Sequence, residues 1–261
     1  MDTLVKFEKI SNEPIALVKL NRPSAMNALN KPLLEQLLTT LGTINENDEI
    51  YCTIITGSGE RAFCAGADLK ERRKMSEKEG LQAVRTIGQV VRQVEQMRYP
   101  VIAAINGVAL GGGLELALGC DLRVAKKDAI LGLTETSLAI IPGAGGTQRL
   151  SRLIGIGRAK QLIYTARQIT GEEAQAYGIV EKLVSKKCVI DEAIKLAKAI
   201  TTNGPIALQQ AKRAINYGSE VDLETGLTIE QLCYEKTFYT KDRLEALHAF
   251  QEKRTPKFTG Q

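Results

Sequence analysis

Tryptophan is missing from the 261 residues and histidine occurs once, as His248. A single imidazole leaves no second ligand for a histidine-centred metal site and makes a Ser-His-Asp triad improbable. Its setting, Leu244-Glu245-Ala246-Leu247-His248-Ala249-Phe250, predicts a helix surface or interface position. The five cysteines, Cys52, Cys64, Cys120, Cys188 and Cys233, are an odd set without a C-x-x-C pair. That pattern argues against a zinc ribbon or a disulfide framework and for reduced thiols in a cytosol.

No long hydrophobic run suggests a membrane span, and Met1-Asp2-Thr3-Leu4 lacks the basic and apolar regions of a signal peptide, so a cytoplasmic location is expected. No glycine pair fits G-x-G-x-x-G and no glycine precedes Lys and Ser or Thr, which removes the best support for nicotinamide binding or nucleotide hydrolysis. Charge of one sign is not in excess either: 35 basic against 30 acidic residues leave +5. This suits an anionic ligand without indicating nucleic acid. No cofactor or metal is expected.

What is present is a chain 44% hydrophobic, long enough to bury a large core. Residues Val5 to Leu20 predict paired strands around a turn at Asn12-Glu13-Pro14. Leucines at 33, 34, 37, 38 and 41 predict an amphipathic helix over Pro32 to Ile44, with Asn30 as cap. A strand follows at 51–56. Ser76-Glu77-Lys78-Glu79 matches a capping box, and the helix it opens must end before Pro100. The next strand is Val101-Ile102-Ala103-Ala104-Ile105. Strand and helix alternate to about residue 185, an α/β core; beyond Asp191 the pattern turns helical, with helices from Gly204-Pro205, over Asp222 to Tyr239 and over Lys241 to Lys253. The expected division is 1–190 for a core holding the site and 191–261 for a helical region.

Gly111-Gly112-Gly113-Leu114-Glu115 falls between the 101–105 strand and the apolar Leu116-Ala117-Leu118, a glycine turn opening a helix. Helix N-termini offer free N–H donors and a positive dipole end, so an oxygen turning anionic could rest on the Gly112 N–H. Phe63-Cys64-Ala65-Gly66-Ala67-Asp68-Leu69-Lys70 is a second small-residue segment after a strand and could supply another donor. Alone, Glu115 would serve equally well to complement a helix N-terminus, and Glu135, in Gly132-Leu133-Thr134-Glu135-Thr136, would serve as a loop or cap residue.

Ala65-Gly66-Ala67-Asp68-Leu69-Lys70, Gly111 to Glu115, and Ile141-Pro142-Gly143-Ala144-Gly145-Gly146-Thr147-Gln148-Arg149-Leu150 together resemble the enoyl-CoA hydratase (crotonase) family in motif, order and spacing. The resemblance runs from about the first strand to the last helix. It implies a crotonase-like spiral of ββα units whose C-terminal helices build a homotrimer, often stacked as a homohexamer. It also implies an acyl-CoA thioester as substrate, with coenzyme A part of that substrate rather than a cofactor.

Hydration of the 2,3 double bond of such a thioester needs a base for the water, an acid for the α-carbon and donors for an enolate-like oxygen. By resemblance Ala67 and Gly112 are the oxyanion donors and Glu115 and Glu135 the catalytic pair, with Glu135 giving the proton to the α-carbon. Coenzyme A binding falls to Ala65, Ala67, Asp68, Leu69, Lys70 and Gly112, with Lys70 reaching a phosphate or the adenine end. Gly143 is a turn residue on its own chemistry; the resemblance adds a backbone N–H near the catalytic water. Phe250 and Lys253 match positions that approach acyl-CoA bound by a neighbouring subunit.

Both glutamates being present favours a hydratase over the family's isomerases, hydrolases and decarboxylases. A short-chain enoyl-CoA of β-oxidation is the expected substrate. The alternative is methylglutaconyl-CoA, because Lys70-Glu71-Arg72-Arg73-Lys74-Met75, Leu138-Ala139-Ile140-Ile141-Pro142 and Lys241-Asp242-Arg243-Leu244-Glu245 resemble the methylglutaconyl-CoA hydratase subgroup. That acyl group carries a distal carboxylate and would require a basic residue facing it, Arg72 or Arg73. The subgroup includes an AU-rich RNA binder, so RNA binding is the alternative of another class. Glu71, Glu77 and Glu79 interrupt the basic stretch of Arg72, Arg73, Lys74, Lys78, Arg85 and Arg92, and no aromatics are interleaved for stacking, which argues against it.

Overall fold

The computed structural model describes residues 3–185 and 189–261; Cys188 lies outside them. In chain order the elements are β1 (Val5–Lys9), β2 (Ile15–Leu20), α1 (Lys31–Asn45), β3 (Cys52–Gly57), β4 (Ala62–Cys64), α2 (Leu69–Arg72), α3 (Glu77–Glu95), β5 (Val101–Ile105), β6 (Val108–Leu110), α4 (Gly112–Gly119), β7 (Leu122–Lys126) and β8 (Ile130–Gly132). They continue with α5 (Gly146–Ile154), α6 (Ile156–Tyr164), β9 (Ile169–Thr170), α7 (Gly171–Ala176), β10 (Lys182–Val184), α8 (Val189–Thr201), α9 (Pro205–Gly218), α10 (Leu223–Phe238) and α11 (Lys241–Gln251).

Helix boundaries follow the side chains that cap them. Asn30 accepts the Leu33 N–H at 3.2 Å, and α1 turns Leu33, Leu34, Leu37, Leu41 and Ile44 into the core. Each such burial contributes about 1.5–3 kcal/mol. Ser76 and Glu79 close the expected capping box at the start of α3, whose Ile87, Val90, Val91 and Val94 are buried. Asp222 and Thr240 cap α10 and α11.

The strands form two sheets. The larger runs β1-β2-β3-β5-β7-β10, parallel except for β1, which pairs antiparallel with β2 in the register Val5↔Leu20. The smaller runs β4-β6-β8-β9, and β4, β6 and β8 in it are mutually parallel. Three times in succession the chain lays one strand in the large sheet, one in the small sheet and then a helix: β3–β4–α3, β5–β6–α4 and β7–β8–α5. This is the ββα winding of the sequence expectation. Strands of two or three residues leave no period-2 pattern, so the small sheet is not visible in the sequence.

The boundary expected after residue 190 falls inside α8. Val189, Ala193 and Ala197 of that helix pack with Ile15, Ile54, Ile102 and Val124 on the large sheet, which makes α8 part of the core layer. Only α9 to α11 stand beyond it, and α9 and α10 form a helical hairpin packed on each other.

Candidate active site

Because β4, β6 and β8 are adjacent and parallel, the three segments that follow them emerge side by side at one end of the small sheet. Those segments are the Ala65–Asp68 loop, the Gly111 turn and the Glu135 turn. A 2.9 Å bond from the Gly111 N–H to the Gly132 carbonyl ties the second to the third.

The first loop is built from outside. Asn27, fully buried, donates to the Ser58 and Ala62 carbonyls and accepts the Arg22 N–H, pinning residues 22–29 against β4. That stretch then holds the loop: Ala65 N–H donates to Met26 O, Leu29 N–H to Gly66 O and Asp68 N–H to Leu29 O, at 3.0, 2.7 and 3.0 Å. Leu29 bridges Ala67 in parallel fashion by bonding its two neighbours. The Ala67 N–H therefore points away from Leu29, and no bond within the described residues uses it.

Gly112, the first residue of α4, likewise has no intrahelical acceptor for its N–H. The two donors are close, because a Cβ on Gly66 would stand 2.7 Å from Leu110 O and 3.2 Å from Gly112 N. Gly66 has φ +89°, a conformation suited to glycine. The glycine run serves several partners: a Cβ on Gly113 would stand 2.0 Å from the Cys64 carbonyl oxygen, so this glycine lets α4 seat against β4. One on Gly111 would meet Glu135 Oε1 at 3.0 Å.

Glu115, 3% exposed, points from the fully buried α4 at the N-terminus of α5. Its Oε1 accepts the Ala144 and Gly146 N–H groups, both at 2.8 Å. The helix end it complements is thus not its own. Arg149 holds that loop from behind, donating to Ala144 O at 3.1 Å and gripping both Glu95 oxygens at 3.0 and 2.6 Å. Burial pushes the Glu115 pKa up, while the two N–H bonds and the Arg149 charge draw it down. Neither the Arg149 brace nor the Asn27 pin is readable from spacing, although Arg149 stands inside the third motif.

Glu135 opens a 3-10 turn over Glu135–Leu138, anchored by a 2.5 Å bond from Thr136 Oγ1 to Ile163 O. Its Oε2 is buried without a hydrogen-bond partner among the described residues. Burial, with the Glu115 charge adding to it, pushes the Glu135 pKa up to about 7. The two carboxyl groups thus sit in unlike settings: Glu115 Oε1 accepts two N–H groups from the loop before α5, whereas Glu135 has its own backbone N–H to draw its pKa down and burial outweighs it.

The remaining expected site residues lie in varied places. Asp68 spends its carboxylate on the fold, taking the Arg22 guanidinium at 2.9 Å and the Lys70 and Glu71 N–H groups at the start of α2. Leu69 and Lys70 are exposed beside Ala65 and Ala67 at the rim. Gly143 is exposed and abuts α3, where a Cβ would strike Val84 at 2.5 Å. Phe250, 83% exposed, and Lys253, in a left-handed conformation after α11, belong to the last helix and its end. His248 is on the α11 surface, and Cys52, Cys64 and Cys120 are buried thiols pushed up to about 12 by burial. Among the described residues no cluster of His, Cys, Asp and Glu could hold a metal, and no helix is long and apolar enough to cross a membrane.

Residues 10–261 match the family model described as enoyl-CoA hydratase/isomerase. YngF of Bacillus subtilis (strain 168), an enoyl-CoA hydratase/isomerase by name, is 56% identical over 251 residues, covering 96% of each chain. The mitochondrial methylglutaconyl-CoA hydratase of Homo sapiens is 47% identical over 261 residues, 98% of this chain and 77% of that one. The crystal structure of an enoyl-CoA hydratase from Bacillus anthracis superposes with a TM-score of 0.97 at 53% identity, covering 99% of this chain and 100% of that one. With the ββα winding and the end of the small sheet where its three loops meet, these likenesses place the chain in the enoyl-CoA hydratase/isomerase family, with the crotonase fold.

Proposed function

We propose that the protein hydrates the 2,3 double bond of a short enoyl-CoA to a 3-hydroxyacyl-CoA. The observation that carries this reading is a buried carboxyl group and a half-buried one in unlike electrostatic settings, beside two N–H donors unused among the described residues.

In this reading Glu115 is the base. The two N–H bonds on Oε1 favour its ionised form and leave Oε2 to take a proton from water. The hydroxide adds to C3, electrons move to the thioester oxygen, and that oxygen rests on the N–H groups of Ala67 and Gly112. Glu135, whose raised pKa keeps it protonated near neutrality, delivers its proton to C2. Proton return from Glu115 to Glu135 through solvent closes the cycle. No group beyond the substrate is called on.

Coenzyme A would lie along the Ala65–Lys70 rim, with Lys70 toward a phosphate. The exposed apolar side chains of the last two helices and the turn between them, Leu223 at 78%, Tyr239 at 87% and Phe250 at 83%, suit contact with further copies of the chain, as in a homotrimer or homohexamer. Light scattering on the purified chain tests that assembly. A second reading, methylglutaconyl-CoA, is favoured by the 47% identity to proteins bearing that name.

The test follows loss of the conjugated thioester absorbance of crotonyl-CoA and 3-methylglutaconyl-CoA. Wild type should turn over at least one, and Glu115→Gln and Glu135→Gln should each lose about 10²–10⁴-fold in kcat. Folded, assembled protein that turns over neither thioester overturns the reading.

A further inference from the structure

Helix α3 runs along the loop that holds Glu115. Positions 84, 88, 91 and 95 share one face of it by helical spacing. A Cβ on Gly143 would strike Val84 at 2.5 Å, and one on Gly88 would stand 3.8 Å from Ala144 Cα and 4.0 Å from Gly143 O. A Cβ on Gly119 of α4 would meet Val91 at 2.8 Å. The face ends at Glu95, the last residue of α3, whose two carboxylate oxygens take Arg149 Nε and Nη2 at 3.0 and 2.6 Å.

Arg149 passes that contact to the loop. Its Nη1 donates to Ala144 O at 3.1 Å, and it lies so close to Gly145, at φ +101°, that a Cβ there would stand 2.0 Å from Nη1. Ala144 is therefore bonded at both ends, its carbonyl to Arg149 and its N–H to Glu115 Oε1 at 2.8 Å. The planar peptide joining Ala144 to Gly145 stands between those that carry the Ala144 and Gly146 N–H groups, so holding its carbonyl orients both donors. Only a guanidinium offers a planar fork to a carboxylate with a further N–H for a carbonyl.

Glu95 and Arg149 are half-buried and line a cavity of about 1030 Å³ between α3, α5 and α9. Glu115, Glu135, Ala67 and Gly112 do not line it. The pair thus acts on the loop from outside the proposed active site.

Resting on the hydratase reading above, we propose that Glu95 and Arg149 are positioning residues for the Glu115 carboxylate, setting the angle at which the Ala144 and Gly146 N–H groups meet it. Glu95 reaches Glu115 only through Arg149. The Arg149 charge adds an effect of its own, since it draws the Glu115 pKa down against burial. Other charged groups near Glu115 are few. Glu135 feels its charge from the 3-10 turn, and β4 and β6 carry no charged side chain. Helix α3 meets α4 through Ile87 and Val91, while its Arg85 and Arg92, with Arg152 of α5, line the cavity.

The test measures kcat and KM against pH for wild type, Arg149→Met, Arg149→Lys, Glu95→Gln and Glu95→Asp, on whichever of crotonyl-CoA and 3-methylglutaconyl-CoA the wild type hydrates. Arg149→Met should lose about 10²-fold in kcat, the scale of a reacting group displaced by about 1 Å, with KM within about 3-fold. Its acid limb should move to higher pH, because a cation that favoured the ionised carboxylate is gone. Arg149→Lys should also lose kcat but keep the limb in place, since the charge stays and the fork goes. Glu95→Gln should lose about 10-fold in kcat without raising the limb, and Glu95→Asp, which keeps the charge, should lose less. Hydrogen exchange of the 143–149 segment, read by mass spectrometry, should quicken in Arg149→Met and Glu95→Gln. An Arg149→Met limb at the wild-type position, or undiminished kcat in Glu95→Gln, overturns the proposal. A wild type that hydrates neither thioester fails the hydratase reading, whereas exchange left unchanged in both variants sinks the brace by itself. If Arg149→Met does not fold, full kcat in Arg149→Lys is the overturning result.

Discussion

Gly146 donates its N–H to Glu115 at 2.8 Å, and any side chain there would have to displace its neighbours, since a Cβ would come within 2.9 Å of Glu115 Oε1 and 2.9 Å of Leu133 Cδ1. The Glu115 carboxylate and the helix end that holds it are thus fitted to each other. Gly146→Ala should push the carboxylate from its seat and lower kcat by about 10²-fold, the scale of an ångström's misplacement of a reacting group. Steady-state kinetics with unchanged circular dichroism would check it; full activity would show that Glu115 needs no such seat.

The pH profile of kcat follows from the two carboxyl groups. In the proposed hydration Glu115 acts ionised and Glu135 protonated; the Glu115 pKa is raised above 4.5, so the rate should climb with pH along a limb lying above that value. Glu135 must hold a proton, so the rate should fall as pH rises through about 7. An alkaline limb absent up to pH 9 would remove Glu135 as the acid.

Stability carries the opposite mark of the same group. The folded chain keeps a proton on Glu135 that the unfolded chain releases between about 4.5 and about 7, so stability falls as pH rises through that window. Allowing for the partly exposed carboxyl, Glu135→Gln should gain about 1–2 kcal/mol at pH 8 and nothing at pH 4. Denaturant unfolding at both values measures it.

Two neighbouring glycines should behave differently. Gly113→Ala drives a methyl to 2.0 Å from the Cys64 carbonyl oxygen and should cost about 3 kcal/mol. Gly112→Ala meets Leu29 and Ile87 at ordinary distances of 3.4 and 3.5 Å and should cost under about 1 kcal/mol. Unfolding midpoints of the two variants give the comparison.

Lys70 is exposed at the rim, where a phosphate contact is worth little in water. Lys70→Ala should raise KM for an acyl-CoA by no more than about 5-fold with kcat unchanged, and the difference should shrink in added salt.

Much of this was legible in the chain itself. The α1 leucines, the Asn30 cap, the Ser76–Glu79 box and the antiparallel pairing of β1 with β2 follow from periodicity and capping, which act over a few residues. The three glycine-rich motifs and their order carried the family, and with it the two glutamates and the two N–H donors as candidates. The small sheet was not legible, because its strands are too short to show a period.

Sequence by itself determined which residues have the chemistry: two carboxyl groups, small residues beside main-chain donors, one histidine and no metal-ligand pattern. Tertiary structure alone decided what each would meet. It set Glu115 against the α5 N-terminus rather than its own helix, left Glu135 Oε2 without a partner among the described residues, turned Asp68 inward to Arg22, and distinguished half-buried Arg72 from exposed Arg73. The physical reason is that pKa and hydrogen-bonding capacity belong to the surroundings of a group, and those surroundings come from loops brought together by three parallel strands far apart in the chain.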